Sequence, residues 1–112
     1  GLNGMTVQES NNAGLGQGGS MFIDVNSVHT PPEGQVFISI TVLSSATFEA
    51  TAAGLAAQDS TKYMSTTGTA STSSPPGQLI DASNVFPTGI TIYGRWTSID
   101  LASGAVIAYL GS

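Results

Sequence analysis

The groups that could do chemistry in this chain are few and far apart. Its single histidine, His29, stands beside Thr30-Pro31-Pro32, and there is no cysteine. A zinc ion would find no second nitrogen or sulfur ligand, and carboxylates alone suit zinc poorly. His29 therefore reads as an exposed turn residue, neither ligand nor base. The seven carboxylates, Glu9, Asp24, Glu33, Glu49, Asp59, Asp81 and Asp100, are spread singly. No two have a spacing that forces both onto one site for acid and base work, although a fold could still bring Asp81 and Asp100 together. The alternating acids of a calcium loop are missing as well. Gly14-Leu15-Gly16-Gln17-Gly18-Gly19 is glycine-rich like a phosphate loop. It follows no strand signal, opens no helix and lacks the Lys-Ser/Thr pair that such a loop needs. No serine sits in a Gly-x-Ser-x-Gly elbow. The expectation is a protein that is not an enzyme, with no cofactor and no metal.

What remains is chemistry of contact. The formal net charge is −5, with Lys62 and Arg95 as the only strong cations. So few cations cannot displace phosphate counterions, which excludes a nucleic-acid partner and disfavours an anionic membrane surface. No apolar run approaches the roughly 20 residues of a membrane-spanning helix. Gly1-Leu2-Asn3-Gly4 has neither the basic start nor the apolar stretch of a secretory leader, so none is expected here. With 15 Ser and 13 Thr, the surface is made of hydroxyls more than of charges. Such a surface can dock on protein with little charge to desolvate. It is equally the composition of any Thr-rich pleated face.

The elements that would position these groups read as strands. Met21 to Val25 is a short first strand, and Pro31-Pro32-Glu33-Gly34 a turn. From Gln35 to Leu43 the even positions Val36, Ile38, Ile40 and Val42 are β-branched, a period of two that sets one face inward. Phe37 and Leu43 interrupt the opposite, outward face. Ser44-Ser45 is expected to turn the chain into a second strand, Ala46 to Ala52, as an antiparallel hairpin. Ala53 to Gln58 reads as an irregular connection, and the Ser/Thr-rich stretch 65–77 as an exposed loop. Gln78-Leu79-Ile80-Asp81 is another short strand. Further on, Ile90, Ile92, Gly94 and Trp96 share a face opposite Thr91, Tyr93, Arg95 and Thr97. That makes Trp96 a core residue and not a sugar-stacking platform. Tyr93 and Arg95 are left for a contact patch or for plain solvent. Ala102-Ser103-Gly104 is expected to turn, with Ala105 to Leu110 as a closing strand covered on both sides.

Six to eight short strands and no helix predict an all-β chain, an antiparallel β-sandwich or small jelly-roll-like barrel. Residues 1–20 form a separate N-terminal arm, flexible or ordered by a partner, ahead of a single β-domain at 21–112.

Two stretches carry a resemblance. Gly34-Gln35-Val36-Phe37-Ile38-Ser39-Ile40-Thr41-Val42-Leu43-Ser44-Ser45-Ala46-Thr47-Phe48-Glu49-Ala50-Thr51 resembles an opening pattern of alternating strand, turn and Thr-Phe strand. Phe86-Pro87-x-Gly89-x-x-Ile92-x-Gly94-x-Trp96-Thr97-Ser98-Ile99-x-Leu101-x-x-Gly104-x-Val106-Ile107-Ala108-Tyr109 is similar to the matching end pattern. The pair resembles short virion structural proteins of marine tailed bacteriophages, cyanophages included, over roughly residues 34–110. The resemblance implies a β-domain on the exterior of a phage particle, and it transfers no catalytic residue.

Three roles are weighed for such a chain. The first is a capsid decoration (cement) protein that binds the major capsid protein and copies of itself, as a homo-oligomer. A second is a receptor- or glycan-binding domain at a fibre tip, using Tyr63, Tyr93 and the 66–77 loop. The third is a self-assembling filament subunit that donates its N-terminal arm to the next protomer. The candidate interface residues are Phe37, Leu43, Tyr63, Tyr93 and Arg95.

Overall fold

The computed structural model describes residues 17–112. Five strands make one antiparallel sheet: β1 (Ser20–Ile23), β2 (Val28–His29), β3 (Val36–Phe48), β4 (Leu55–Ala57) and β5 (Thr91–Gly111). The all-β expectation is met with fewer and longer strands than the turn signals suggest.

Every other strand pairs with β5. At 21 residues, β5 would span about 70 Å if straight, yet the longest dimension of the molecule is 45 Å. The strand bends, and it coils around β3. Phe37 lies opposite Trp96 on one edge and Leu110 on the other; Ile40 lies likewise between Ile92 and Ala108. The first leg of β5 thus flanks one edge of β3 and its last leg the other. In the middle of β5, Ile99 has His29 across one edge and Leu55 across the other. His29 is therefore a half-buried strand residue and not an exposed turn. β1 adds an outer strand beside the last leg, with Ser20 opposite Tyr109 and Phe22 opposite Ile107.

Two expected reversals do not occur. Ser44-Ser45 does not end a hairpin, because β3 runs on to Phe48. Its register against β5 slips there, from Val42 opposite Val106 to Thr47 opposite Ser103. The two serines sit in that irregularity, where Thr88 Oγ1 accepts the Ser45 N–H at 3.0 Å. Ala46 then exchanges backbone bonds with Phe86, at 2.9 and 2.8 Å, so no backbone group needs a turn to be satisfied. Ala102-Ser103-Gly104 likewise stays within β5. Gly104 bends the strand instead: its φ is +88°, and a Cβ there would strike the Ser44 and Ser45 carbonyl oxygens and Ala46 Cα. A bulge raises local twist without reversing the chain, which is what a coiled strand requires.

The expected strand at 78–81 is loop, although Ile80 is buried and its N–H donates to Ser65 O at 3.0 Å. Conversely, β4 lies within the stretch read as irregular. Of the expected arm, residues 1–16 lie outside the described residues. Residues 17–20 are fastened to the sheet: Leu110 N–H donates to Gly19 O at 2.9 Å, and Gln35 Nε2 donates to Gly18 O at 2.9 Å.

The core holds Trp96, Phe37, Phe48, Ile40, Leu55, Ile99, Leu101 and Val106, all essentially inaccessible. Each such side chain contributes about 1.5–3 kcal/mol by leaving water. Trp96 is in the core as its face predicts, and its Nε1–H donates to Met64 O at 2.8 Å. Gly94 is small for a reason, since a Cβ at that position would meet the indole at 2.7–3.1 Å. Phe86 packs edge-on against Phe48, with centroids 5.3 Å apart and planes at 82°.

Candidate interaction surface

The outward side of the sheet is set by register. Directly opposed residues of an antiparallel pair share a face, so the pairings define two rows across four adjacent strand segments. One row runs Tyr93–Ser39–Tyr109–Ser20 and the next Thr91–Thr41–Ile107–Phe22. A hydrogen bond of 2.8 Å between the Thr41 and Thr91 hydroxyls fixes them on the same side. Leu43 follows Thr41 on that side, 41% exposed. Between the rows Ile40 and Ala108 point the other way, as do Val42 and Val106 just beyond the second row, and all four are buried, so the core lies behind this face.

One residue of register decides which side chains belong here. Between Phe37 and Ser39 the pairing against the last leg of β5 shifts, because two steps along β3 match one step from Leu110 to Tyr109. A bulge of one residue reverses the parity of everything before it. Phe37, expected on the outward face as an interface residue, therefore points into the core and is fully buried. This corrects the alternation read from Gln35 to Leu43.

The other expected contact residues are scattered. Tyr93 is 66% exposed and shares the outer face with Leu43. Arg95 is half-buried and engaged, its Nε donating to Gln58 Oε1 at 2.7 Å and its Nη2 to Ser112 O at 3.1 Å. Tyr63, half-buried, lies on the connection between β4 and β5, with Lys62 Nζ 5.7 Å from its ring centroid. Phe22, Ile107 and Tyr109 belong to the face but escape sequence reasoning. The pairing of the last leg of β5 with β3 brings Ile107 and Tyr109 there and the pairing of β1 with β5 brings Phe22, and no local pattern encodes either pairing.

The Ser/Thr-rich connection has a structural use. Leu55 N–H donates to Thr66 Oγ1 at 2.9 Å and Ala57 N–H to Ser65 Oγ at 3.2 Å. Leu55 O accepts from Thr66 N at 2.9 Å and from Ser65 Oγ at 3.0 Å. Two hydroxyls thus stand in for a neighbouring strand along the outer edge of β4. Within the loop, Ser71 and Ser74 share a hydroxyl contact of 2.8 Å.

The carboxylates lie away from the rows. Asp59 Oδ1 accepts from the Thr61 hydroxyl at 2.6 Å and the Thr61 N–H at 2.9 Å, which holds its pKa below the ordinary value. Asp81 is lowered in the same way by the hydroxyl and N–H of Ser83. His29 Nδ1 is 2.9 Å from Ser27 O. Asp100 Oδ1 is buried without a hydrogen-bond partner. Among the described residues no three His, Asp or Glu side chains are grouped to hold a metal ion, and no helix is long and apolar enough to cross a membrane.

No protein-family profile, no curated protein and no solved structure matches this chain.

Proposed function

We propose that the chain is a structural protein of a phage particle: a capsid decoration (cement) protein on the virion exterior, binding the major capsid protein and further copies of itself. The observation that carries this reading is the outer face of the sheet, whose two rows present Tyr93, Phe22 and paired threonines, with Leu43 beside them, and hold no charged side chain. Arg95, next to Tyr93 on that side, is engaged by Gln58 and Ser112 O. Apolar and hydroxyl groups of this kind bury against protein at little desolvation cost. The resemblance over residues 34–110 supports the particle assignment. Mass spectrometry of purified virions tests it, with electron microscopy to place the density. The polypeptide is expected in stoichiometric amounts on the exterior, and virions that lack it end the proposal.

The exposure of Tyr93 favours one further reading, a receptor- or glycan-binding domain at a fibre tip. Glycan-array binding that disappears in Tyr93→Ala would support it, and a silent array would reject it.

A further inference from the structure

The outer face is uneven in a way that bears on what covers it. Its two margins are tall: Tyr93, on the first leg of β5, is 66% exposed, and Phe22, on β1, is 63% exposed. These margins stand three strand spacings apart, about 14 Å. The centre is low. There β3 offers Ser39 and Thr41, and Ser39 is only 2% exposed between its tyrosine neighbours. A shallow trough with aromatic rims therefore runs along β3 past Ser39 and Thr41, closed at one end by Leu43, 41% exposed.

We infer that this face is a twofold interface between two copies of the chain. Shape is the first argument. A face with tall margins and a low centre complements itself, because a lateral offset seats the aromatic margin of each copy over the low centre of the other. Charge is the second. Each copy carries a formal −5, and contact through the carboxylate-bearing loops would set like charges against each other. The rows through Ser39 and Thr41 hold no Asp, Glu, Lys, Arg or His, and Arg95, two residues beyond Tyr93 on that side, already donates to Gln58 Oε1 and Ser112 O, so two copies can meet on the rows without desolvating an unpaired charge. A cationic partner finds nothing on this face to pair with.

Area sets the strength. The exposed parts of Tyr93 and Phe22 together come to about 250 Å², and a stable complex takes about 800 Å² from each partner. The dimer is accordingly weak and dependent on concentration, the class of contact that becomes useful when copies are held side by side. This inference deepens the self-association part of the proposed function and rests on the same face.

Sedimentation velocity on the full chain, from low micromolar to millimolar concentration, tests it. A reversible dimer is expected, and added salt should strengthen it by screening the repulsion between acidic copies. Tyr93→Glu and Phe22→Glu should each weaken association by roughly tenfold or more. Val85→Glu, at an exposed site on the β4–β5 connection, should leave it unchanged. A second measurement needs no variant: amide shifts that move with concentration should map to Ser39, Thr41, Tyr93 and Tyr109. A monomer throughout the range, a dimer weakened by salt, indifference to both rim substitutions, or shifts confined to the first twenty residues would each overturn the interface. Virions without the chain would sink the decoration reading and leave a measured dimer standing.

Discussion

Replacing Ser65 by Ala removes one oxygen from the interior and is expected to cost more than its size suggests. Ser65 is fully buried, and its Oγ makes three hydrogen bonds. It donates to Leu55 O at 3.0 Å and accepts from Ala57 N–H at 3.2 Å and Thr67 N–H at 3.1 Å. Leu55 O keeps a partner in the variant, because Thr66 N–H still donates to it at 2.9 Å. The two backbone N–H groups lose theirs. An unsatisfied buried donor costs about 1–3 kcal/mol. Two would reach about 2–6 kcal/mol, and because both of these bonds are only part-buried the expected loss is about 2–4 kcal/mol, nearer the lower figure if a water enters. Against a total stability of about 5–15 kcal/mol that is a large fraction. It corresponds to a fall in Tm of roughly 10–20 °C for a domain of this size.

Trp96 provides the assay. It is the only tryptophan and is fully buried, so its fluorescence reports loss of the core in urea. The midpoint should fall with the slope unchanged, since the surface exposed on unfolding is nearly the same. Thr66→Val is a matched perturbation, because Thr66 Oγ1 accepts from Leu55 N–H and donates to Thr51 O at 2.8 Å. A Ser65→Ala loss below about 0.5 kcal/mol would refute the idea that hydroxyls substitute for a strand along β4.

Three other perturbations follow from the same structure. Gly104→Ala forces a Cβ into the Ser44–Ala46 backbone at a φ of +88°, and a loss of at least about 2 kcal/mol is expected in thermal unfolding; an unchanged Tm would mean β5 does not bend there. Trp96→Phe leaves Met64 O without its indole donor and opens space beside Gly94, which predicts a loss of about 2–4 kcal/mol by urea titration. Asp59 should titrate below the ordinary 3.8 by carboxyl NMR, and Thr61→Val should raise its midpoint because the hydroxyl bond is the largest cause of the shift. Its folded pKa is depressed, so whatever it contributes to stability is present above the unfolded value and is lost as pH falls through the folded one.

The sequence showed some of this fold and concealed the rest for identifiable reasons. Of the expected inward face Ile90, Ile92, Gly94 and Trp96, the last three were legible because burial alternates from Thr91 to Trp96, and Trp96 lies in the core accordingly. Ile90, just ahead of β5, is 37% exposed and does not belong to it. The face of β3 was only half legible. Val42 and Ile40 follow the alternation, whereas the bulge before Ser39 turns Phe37 inward. A bulge is a property of a pair of strands, and nothing in one strand's composition marks it. Ser44-Ser45 and Ala102-Ser103-Gly104 looked like turns because small and hydroxyl residues favour both turns and bulges. β4 is three residues of Leu and Ala; its edge is completed by Ser65 and Thr66, eight or more positions away.

The same two irregularities that defeat the local reading also create the surface. Had β3 alternated strictly from Val36, Phe37 would stand outward beside Ser39 and fill the trough with a large ring. The bulge instead places that ring against Trp96 and Leu110, where it is buried. Gly104 acts at the other end. By letting β5 coil, it allows the strand to return along the second edge of β3 and set Tyr109 opposite the Ser39 that Tyr93 already flanks. The low centre between aromatic rims is thus made by backbone geometry, and the side chains that line it are otherwise ordinary. It follows that Gly104→Ala, if it folds at all, should disturb the self-association of the chain as well as its stability, although Gly104 belongs to neither row. Tyr93→Glu should do the reverse and weaken association while leaving the unfolding midpoint nearly where it was, because an exposed side chain carries little of the core. Equal effects of the two substitutions on both measurements would show that surface and scaffold are not built in this way.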